Sequence, residues 1–174
     1  MKLRKNKKGF TLVELLVVIA IIGVLAVVAV PALFSNINKA KVASVESDYS
    51  SIKSAALSYY SDTNKMPATA SVGDLTKLKT YMETLPDKAD IGGAYQLLLG
   101  DNKLVLQIGK DSEKATLTGA QSTKLVSDIG GDKIYRTIAN DGTLANQLKA
   151  NEKVDNEILY IVLIDNAEMD SANN

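Results

Sequence analysis

Between Phe10 and Asn38 a single side chain is charged, Glu14. A lone carboxylate in an apolar stretch costs about 2.5–3.5 kcal/mol at the centre of a bilayer helix and less near its edge, so it must either cap its own helix or meet a positive group. Elsewhere the reactive repertoire is thin. The chain has no cysteine, histidine or tryptophan, which removes disulfides, zinc sites of the Cys/His kind, thiol nucleophiles and a histidine general base. Asp128 with Asp132, and Asp165 with Glu168 and Asp170, are acidic groups without EF-hand spacing or a catalytic partner, and they read as solvated surface acids. Gly92-Gly93 reads as a turn before a strand rather than a phosphate cradle. Tyr59 and Tyr60 with Lys53 read as helix packing rather than a nucleic-acid patch. The residues therefore predict no enzyme, no cofactor, no metal site and no nucleic-acid partner.

Twenty Lys and Arg balance twenty Asp and Glu over 174 residues, but the balance conceals an asymmetry. Lys2, Arg4, Lys5, Lys7 and Lys8 crowd the first nine residues with no acid among them, leaving the rest with a net of about −5. The sixteen residues Leu15–Val30 contain nothing polar. At about 1.5 Å per residue, Leu15–Phe34 reaches roughly 30 Å, the thickness of a bilayer's hydrocarbon core. The basic flank predicts a cytoplasmic N-terminus and a chain exported from about residue 35 onward. A secretory signal cut near Val30-Pro31-Ala32 and a plain uncut anchor are the competing readings. The first offers a poor cleavage site, and the second gives Glu14 no purpose.

The string Lys7-Lys8-Gly9-Phe10-Thr11-Leu12-Val13-Glu14-Leu15-Leu16 closely resembles the start of the type IV pilins. In that family a class III leader ends in glycine, is cut before an N-methylated phenylalanine, and is followed by glutamate four positions on. The resemblance is dense over residues 1 to about 38 and includes Pro31, where the family has a helix-bending proline. It implies cleavage between Gly9 and Phe10 by a prepilin peptidase and N-methylation of Phe10. It further implies a helical homo-oligomeric filament raised by an assembly platform and ATPase. Cutting there discards the basic leader and keeps the apolar helix, and methylation leaves the new amine charged. The resemblance assigns Glu14 to the Phe10 amine of a neighbouring subunit, setting filament register; capping of its own helix is the alternative reading. Pro31 lacks an N–H and clashes with the Val27 carbonyl, and Gly23 adds a second weak point. In the family this stretch is where the helix loosens on assembly.

These residues need a long helix to carry them. Val42, Val45, Tyr49, Ile52, Ala56 and Tyr59 form one apolar seam at spacings of three and four, with Ser44, Ser47, Ser51, Ser54 and Ser58 between. The pattern predicts one helix from Phe10 to about Asp62, roughly 80 Å long, apolar all round in its first half and amphipathic in its second. Four parts follow: leader 1–9, membrane or filament-core helix 10–34, amphipathic helix 35–62 and a globular α+β head 63–174. Ser71 and Asp74, with Leu75, Leu78, Met82 and Leu85, predict a short surface helix ending at Pro86. Ala94–Leu99 and Leu104–Ile108 flank Gly100-Asp101-Asn102-Lys103, a hairpin with a four-residue loop whose Leu104, Leu106 and Ile108 face the core. Thr118 and Gln121 predict a capped second helix ending at Gly130-Gly131, with Leu125, Val126 and Ile129 buried. Ile158–Ile164 predicts a central strand covered on both faces. The expected architecture is the long helix packed on an antiparallel sheet of at least three strands, as in pilins.

With no cysteine there is no C-terminal disulfide loop, as in pilins of Gram-positive bacteria, and residues 131–157 must be held by packing and hydrogen bonds. That polar segment, with a turn at Asn140-Asp141-Gly142, is expected on the fibre surface. The implied role is a pilus subunit serving adhesion, motility or biofilm formation, in the cytoplasmic membrane before assembly and extracellular afterwards. The alternatives are a type II secretion pseudopilin and a monomeric membrane-anchored surface binding protein.

Overall fold

The computed structural model describes residues 9–68 and 72–165. The leader lysines and arginine, Ser71, Glu168 and Asp170 lie outside them. Helix α1 runs Leu12–Thr63, with Gly23 and Pro31 its only glycine and proline. It begins two residues later than the expected Phe10 because Thr11 takes the capping position. It stops where Asn64 turns left-handed (φ 53°) and donates its N–H to the Tyr60 carbonyl at 2.8 Å.

The chain divides into two compact units, Met1–Ile37 and Asn38–Asn174. In the first, every large apolar side chain from Phe10 to Ile37 is exposed. A helix apolar around its whole circumference cannot be satisfied by one core; lipid or other helices must cover it.

In the second unit the rest of α1 buries one seam: Val42, Val45, Ile52 and Ala56 are fully buried, Ala55 nearly so, and Tyr49 and Tyr59 pack partly against them. Tyr59 meets Tyr81 edge to face at 5.7 Å. Tyr60, expected in the same packing, is instead 40% exposed, because one helical residue rotates it about 100° off the seam. Two hydroxyls pin the helix to the sheet, Tyr49 donating to the Val162 carbonyl at 3.2 Å and Tyr95 to Asp48 Oδ2 at 2.9 Å.

Among the described residues seven antiparallel strands form the sheet: β1 (Tyr95–Gly100), β2 (Lys103–Lys110), β3 (Glu113–Leu117), β4 (Ile134–Ile138), β5 (Leu144–Gln147), β6 (Val154–Glu157) and β7 (Leu159–Ile164). β2 and β7 pair at the centre; β1 lies beside β2, β4 and β5 continue beyond β7, and β3 leads to β6. Helix α2 (Gly119–Ile129) carries the full capping box expected of Thr118 and Gln121 and ends at Gly130 with φ 105°. Leu125 and Ile129 are buried, and Val126 packs against the core from a half-buried position.

Strand alternation makes two cores. Leu97, Leu104, Leu106, Ile108, Leu159 and Ile161 join the α1 seam on one face. Leu98, Val105, Leu144, Tyr160 and Val162 form a second cluster on the other. β7 is thus buried on both faces, as its continuous apolar run predicts.

Three sequence expectations need correction. The predicted loop Gly100–Lys103 is a two-residue turn, because Asp101 and Asn102 both adopt positive φ (51° and 54°), the mirror-image turn whose twist matches the flanking strands. The predicted surface helix after Ser71 contracts to a single 3₁₀ turn, Thr76–Leu78. Gly73 is drawn into a backbone bridge with Leu97, and the three-residue spacing of Leu75 and Leu78 is met by a 3₁₀ turn that buries both. Residues 131–157, expected as an exposed polar segment, contribute β4, β5 and β6 and bury Leu144, Leu148 and Val154. Packing and hydrogen bonds do hold this segment, with an ionic clasp besides. Arg136 on β4 grips Glu157 at 2.5 and 2.8 Å and also pairs with Glu152.

Candidate functional site

The candidate site lies at the head of α1. Gly9 and Phe10 precede the helix, outside any secondary structure. A Cβ added to Gly9 would have nothing within 4 Å, and Phe10 is 93% exposed. Among the described residues nothing covers the Gly9–Phe10 bond.

Glu14 stands in the first helical turn, where its charge complements the helix dipole. It closes a reciprocal box with Thr11. Glu14 Oε2 accepts from the Thr11 N–H at 2.8 Å and from Thr11 Oγ1 at 2.7 Å, while the Glu14 N–H donates to Thr11 Oγ1 at 3.3 Å. Two of the donors that every helix start leaves unpaired are thereby satisfied. Within one chain the capping reading of Glu14 is realised. Only Oε2 is engaged; Oε1 makes no hydrogen bond among the described residues, nor does Glu14 bond to Phe10. The carboxylate can thus serve its own helix and still accept a charged donor from outside. Thr11 is the functional residue that sequence reasoning passed over, although Thr-x-x-Glu before an apolar run is the signature of such a box.

The other expected positions lie farther along α1. Gly23 would carry a Cβ into open space, and the helix passes through both it and Pro31 without interruption. Nothing brings them to Glu14. An 18-residue window of the helix is apolar enough to cross a membrane, and none of it is buried.

Of the acids read as solvated, Asp128 is ion-paired. Lys124, one helical turn before it, bonds to its carboxylate, holds that carboxyl below the usual aspartate range, and also faces Glu46 Oε1 on α1 at 3.4 Å. Asp165 lies 3.9 Å from Lys103. Among the described residues no group of three acids, histidines or cysteines could hold a metal ion.

Comparison with known proteins bears on both halves of the chain. Residues 4–30 match the prokaryotic N-terminal methylation motif, and residues 36–107 match the family described as PilW, C-terminal. No curated protein matches the chain. The solved structure of the major type IV pilin PilA1 from Clostridium difficile is 68% identical, with a TM-score of 0.71; the alignment covers 75% of this chain and 99% of that one.

Proposed function

This chain belongs to the type IV pilin family, and we propose that it is a major subunit which polymerises through its N-terminal helix into an extracellular filament. The observation that carries this reading is the uncovered apolar surface from Phe10 to Ile37, headed by a capped glutamate whose second carboxylate oxygen makes no hydrogen bond among the described residues. Residues 1–9 are the leader and 10–34 the segment that is first a membrane anchor, N-terminus inside, and then the filament core. Residues 35–62 continue the helix into the head formed by 63–174. A prepilin peptidase cuts between Gly9 and Phe10 and methylates Phe10, and an assembly platform with its ATPase lifts the subunit out of the bilayer.

The energetics follow from the same surface. Contact with lipid is exchanged for contact with sister helices, so in the finished fibre burial holds each large aliphatic side chain with about 1.5–3 kcal/mol relative to water. Apolar packing has no preferred register, whereas a charge pair does. Glu14 of one subunit accepts from the methylated amine of a neighbour's Phe10, and a sliding subunit would strand both charges in an apolar environment. Gly23 and the missing N–H of Pro31 mark where the helix loosens during entry.

The mass and N-terminal sequence of protein sheared from the cell surface test this directly. Methyl-Phe10 at the terminus is the expected result. An intact Met1, or a start near Leu33, would leave a plain anchor or a secreted head and overturn the filament mechanism. Adhesion, motility and biofilm formation are the uses such a fibre would serve; catalysis is not among the roles these residues support.

A further inference from the structure

On the sheet face turned away from α1, strand register places five side chains in one row: Gln96, Gln107, Tyr160, Tyr135 and Gln147, on β1, β2, β7, β4 and β5. Directly paired residues share a face, so the row is a continuous belt of amides and phenols with no net charge. Beside its middle lies a crevice of about 290 Å³ lined by Leu98, Gln107, Ile138, Asn140, Asp141 and Tyr160. Its volume falls at the small end for ligand cavities, with room for one ring rather than a chain.

The polar groups of this crevice are incompletely used. Tyr160 is 7% exposed, yet its hydroxyl makes no hydrogen bond among the described residues. Gln107, 5% exposed, spends its amide donors on Gln96 Oε1 (3.1 Å) and the Gly109 carbonyl (2.7 Å), which leaves its own oxygen unpaired among the described residues. At the rim, Asp141 Oδ1 accepts from the Thr143 N–H at 2.9 Å, and the Asn140 side-chain amide makes no hydrogen bond among the described residues. Neither the Tyr160 hydroxyl nor the Gln107 oxygen is sealed from solvent, since among the described residues Glu46 Oε1 is the one buried side-chain polar atom without a hydrogen-bond partner, so both remain open to a partner from outside.

The chemistry of the missing partner follows by exclusion. Among the described residues no basic side chain lines the crevice, which disfavours phosphate or carboxylate ligands. A purely apolar ligand would leave these polar groups desolvated and unpaired. A ligand that meets the donors and acceptors together while laying a C–H face on Leu98 and Ile138 is a polyhydroxylated ring. We propose that this crevice binds one neutral pyranose unit of a glycan, with Tyr160 and Gln107 hydrogen-bonding its hydroxyls from the floor and Asn140 and Asp141 from the rim. Half-buried Tyr135 and exposed Gln147 extend the belt for adjoining units.

The test uses the full chain, made in a host that attaches no glycans so that no sugar carried by the protein fills the crevice, and held in dodecylphosphocholine micelles. It is titrated separately with the methyl glycosides of glucose, mannose, galactose and N-acetylglucosamine, following the amide resonances of Gly100, Asn140 and Gly142. Saturable shifts with at least one sugar are expected, with about tenfold weaker binding in Tyr160→Phe, the loss expected for a hydrogen bond of this kind. Asn140→Ala, on an exposed turn, gives the same reading if Tyr160→Phe disturbs folding. The proposal is overturned if none of the four sugars shifts these resonances, or if the variants bind as tightly as the parent. It is equally overturned if the resonances move with protein concentration alone, which would make the crevice a contact between copies.

Discussion

Leu16 and Val42 are aliphatic residues of the same helix, yet Leu16 is 54% exposed and Val42 fully buried. The contrast separates two ways of satisfying an apolar side chain. Around Val42 the chain supplies its own cover, a sheet whose inner face carries Leu104, Leu106 and Ile108. Around Leu16 it supplies none, and the side chain depends on lipid or on other copies of the helix. Polar groups divide in the same way. Arg136 is paired within its own unit by Glu152 and Glu157, whereas Glu14 caps its helix with one oxygen and leaves the other unbonded among the described residues. One unit covers its own apolar side chains, and the other leaves them for lipid or further helices to cover.

Four experiments would break or sharpen this contrast. The largest effect is expected at Glu14. Glu14→Ala should be processed normally but reduce sheared fibres by an order of magnitude or more, as loss of a buried charge pairing of about 3–5 kcal/mol would. Glu14→Gln keeps the capping box while removing the charge, so fibre yields equal to the parent's would assign Glu14 to capping alone. Next, Leu106→Ala should destabilise the head by about 2–5 kcal/mol in denaturant unfolding, through a cavity in a fully packed site. Leu16→Ala should leave that transition where it was, and an equal shift from both would dissolve the distinction between the units.

Smaller effects are expected from polar contacts. Arg136→Ala should cost about 1–2 kcal/mol, because two partly exposed carboxylates are left facing each other without their cation. An unfolding midpoint unchanged from the parent would show that packing alone holds residues 131–157. The smallest effect is set by pH. Burial, reinforced by the neighbouring Asp48 carboxylate, pushes the Tyr95 hydroxyl far above its ordinary value. Its contribution is intact below the unfolded tyrosine value of about 10 and is lost as the pH rises beyond it, because the unfolded chain surrenders its proton first. Tyr95→Phe should flatten that alkaline decline, and an unchanged slope would place the cause elsewhere.

Much of the fold is legible in sequence where a pattern is local and long. The apolar run, the α1 seam, the Thr118 and Gln121 box and the two-faced strand Leu159–Ile164 each declare themselves by periodicity or capping chemistry. The strands Glu113–Leu117, Leu144–Gln147 and Val154–Glu157 do not, being short and polar, with one or two buried residues apiece. Such a segment becomes a strand because a neighbour offers it hydrogen bonds. The same competition turns the expected helix after Ser71 into a 3₁₀ turn once Gly73 bridges to Leu97.

By itself, the sequence determined the basic cluster ahead of Gly9, the uninterrupted apolar helix and its single charge, since each depends only on residue type and order along the chain. Only the tertiary structure decided that Arg136 clasps Glu152 and Glu157, and that Gln96, Gln107, Tyr160, Tyr135 and Gln147 align into one belt. Those relations join residues as many as 64 positions apart on strands whose register is set by which side chains can be buried together, and that quantity exists only after the chain has closed on itself.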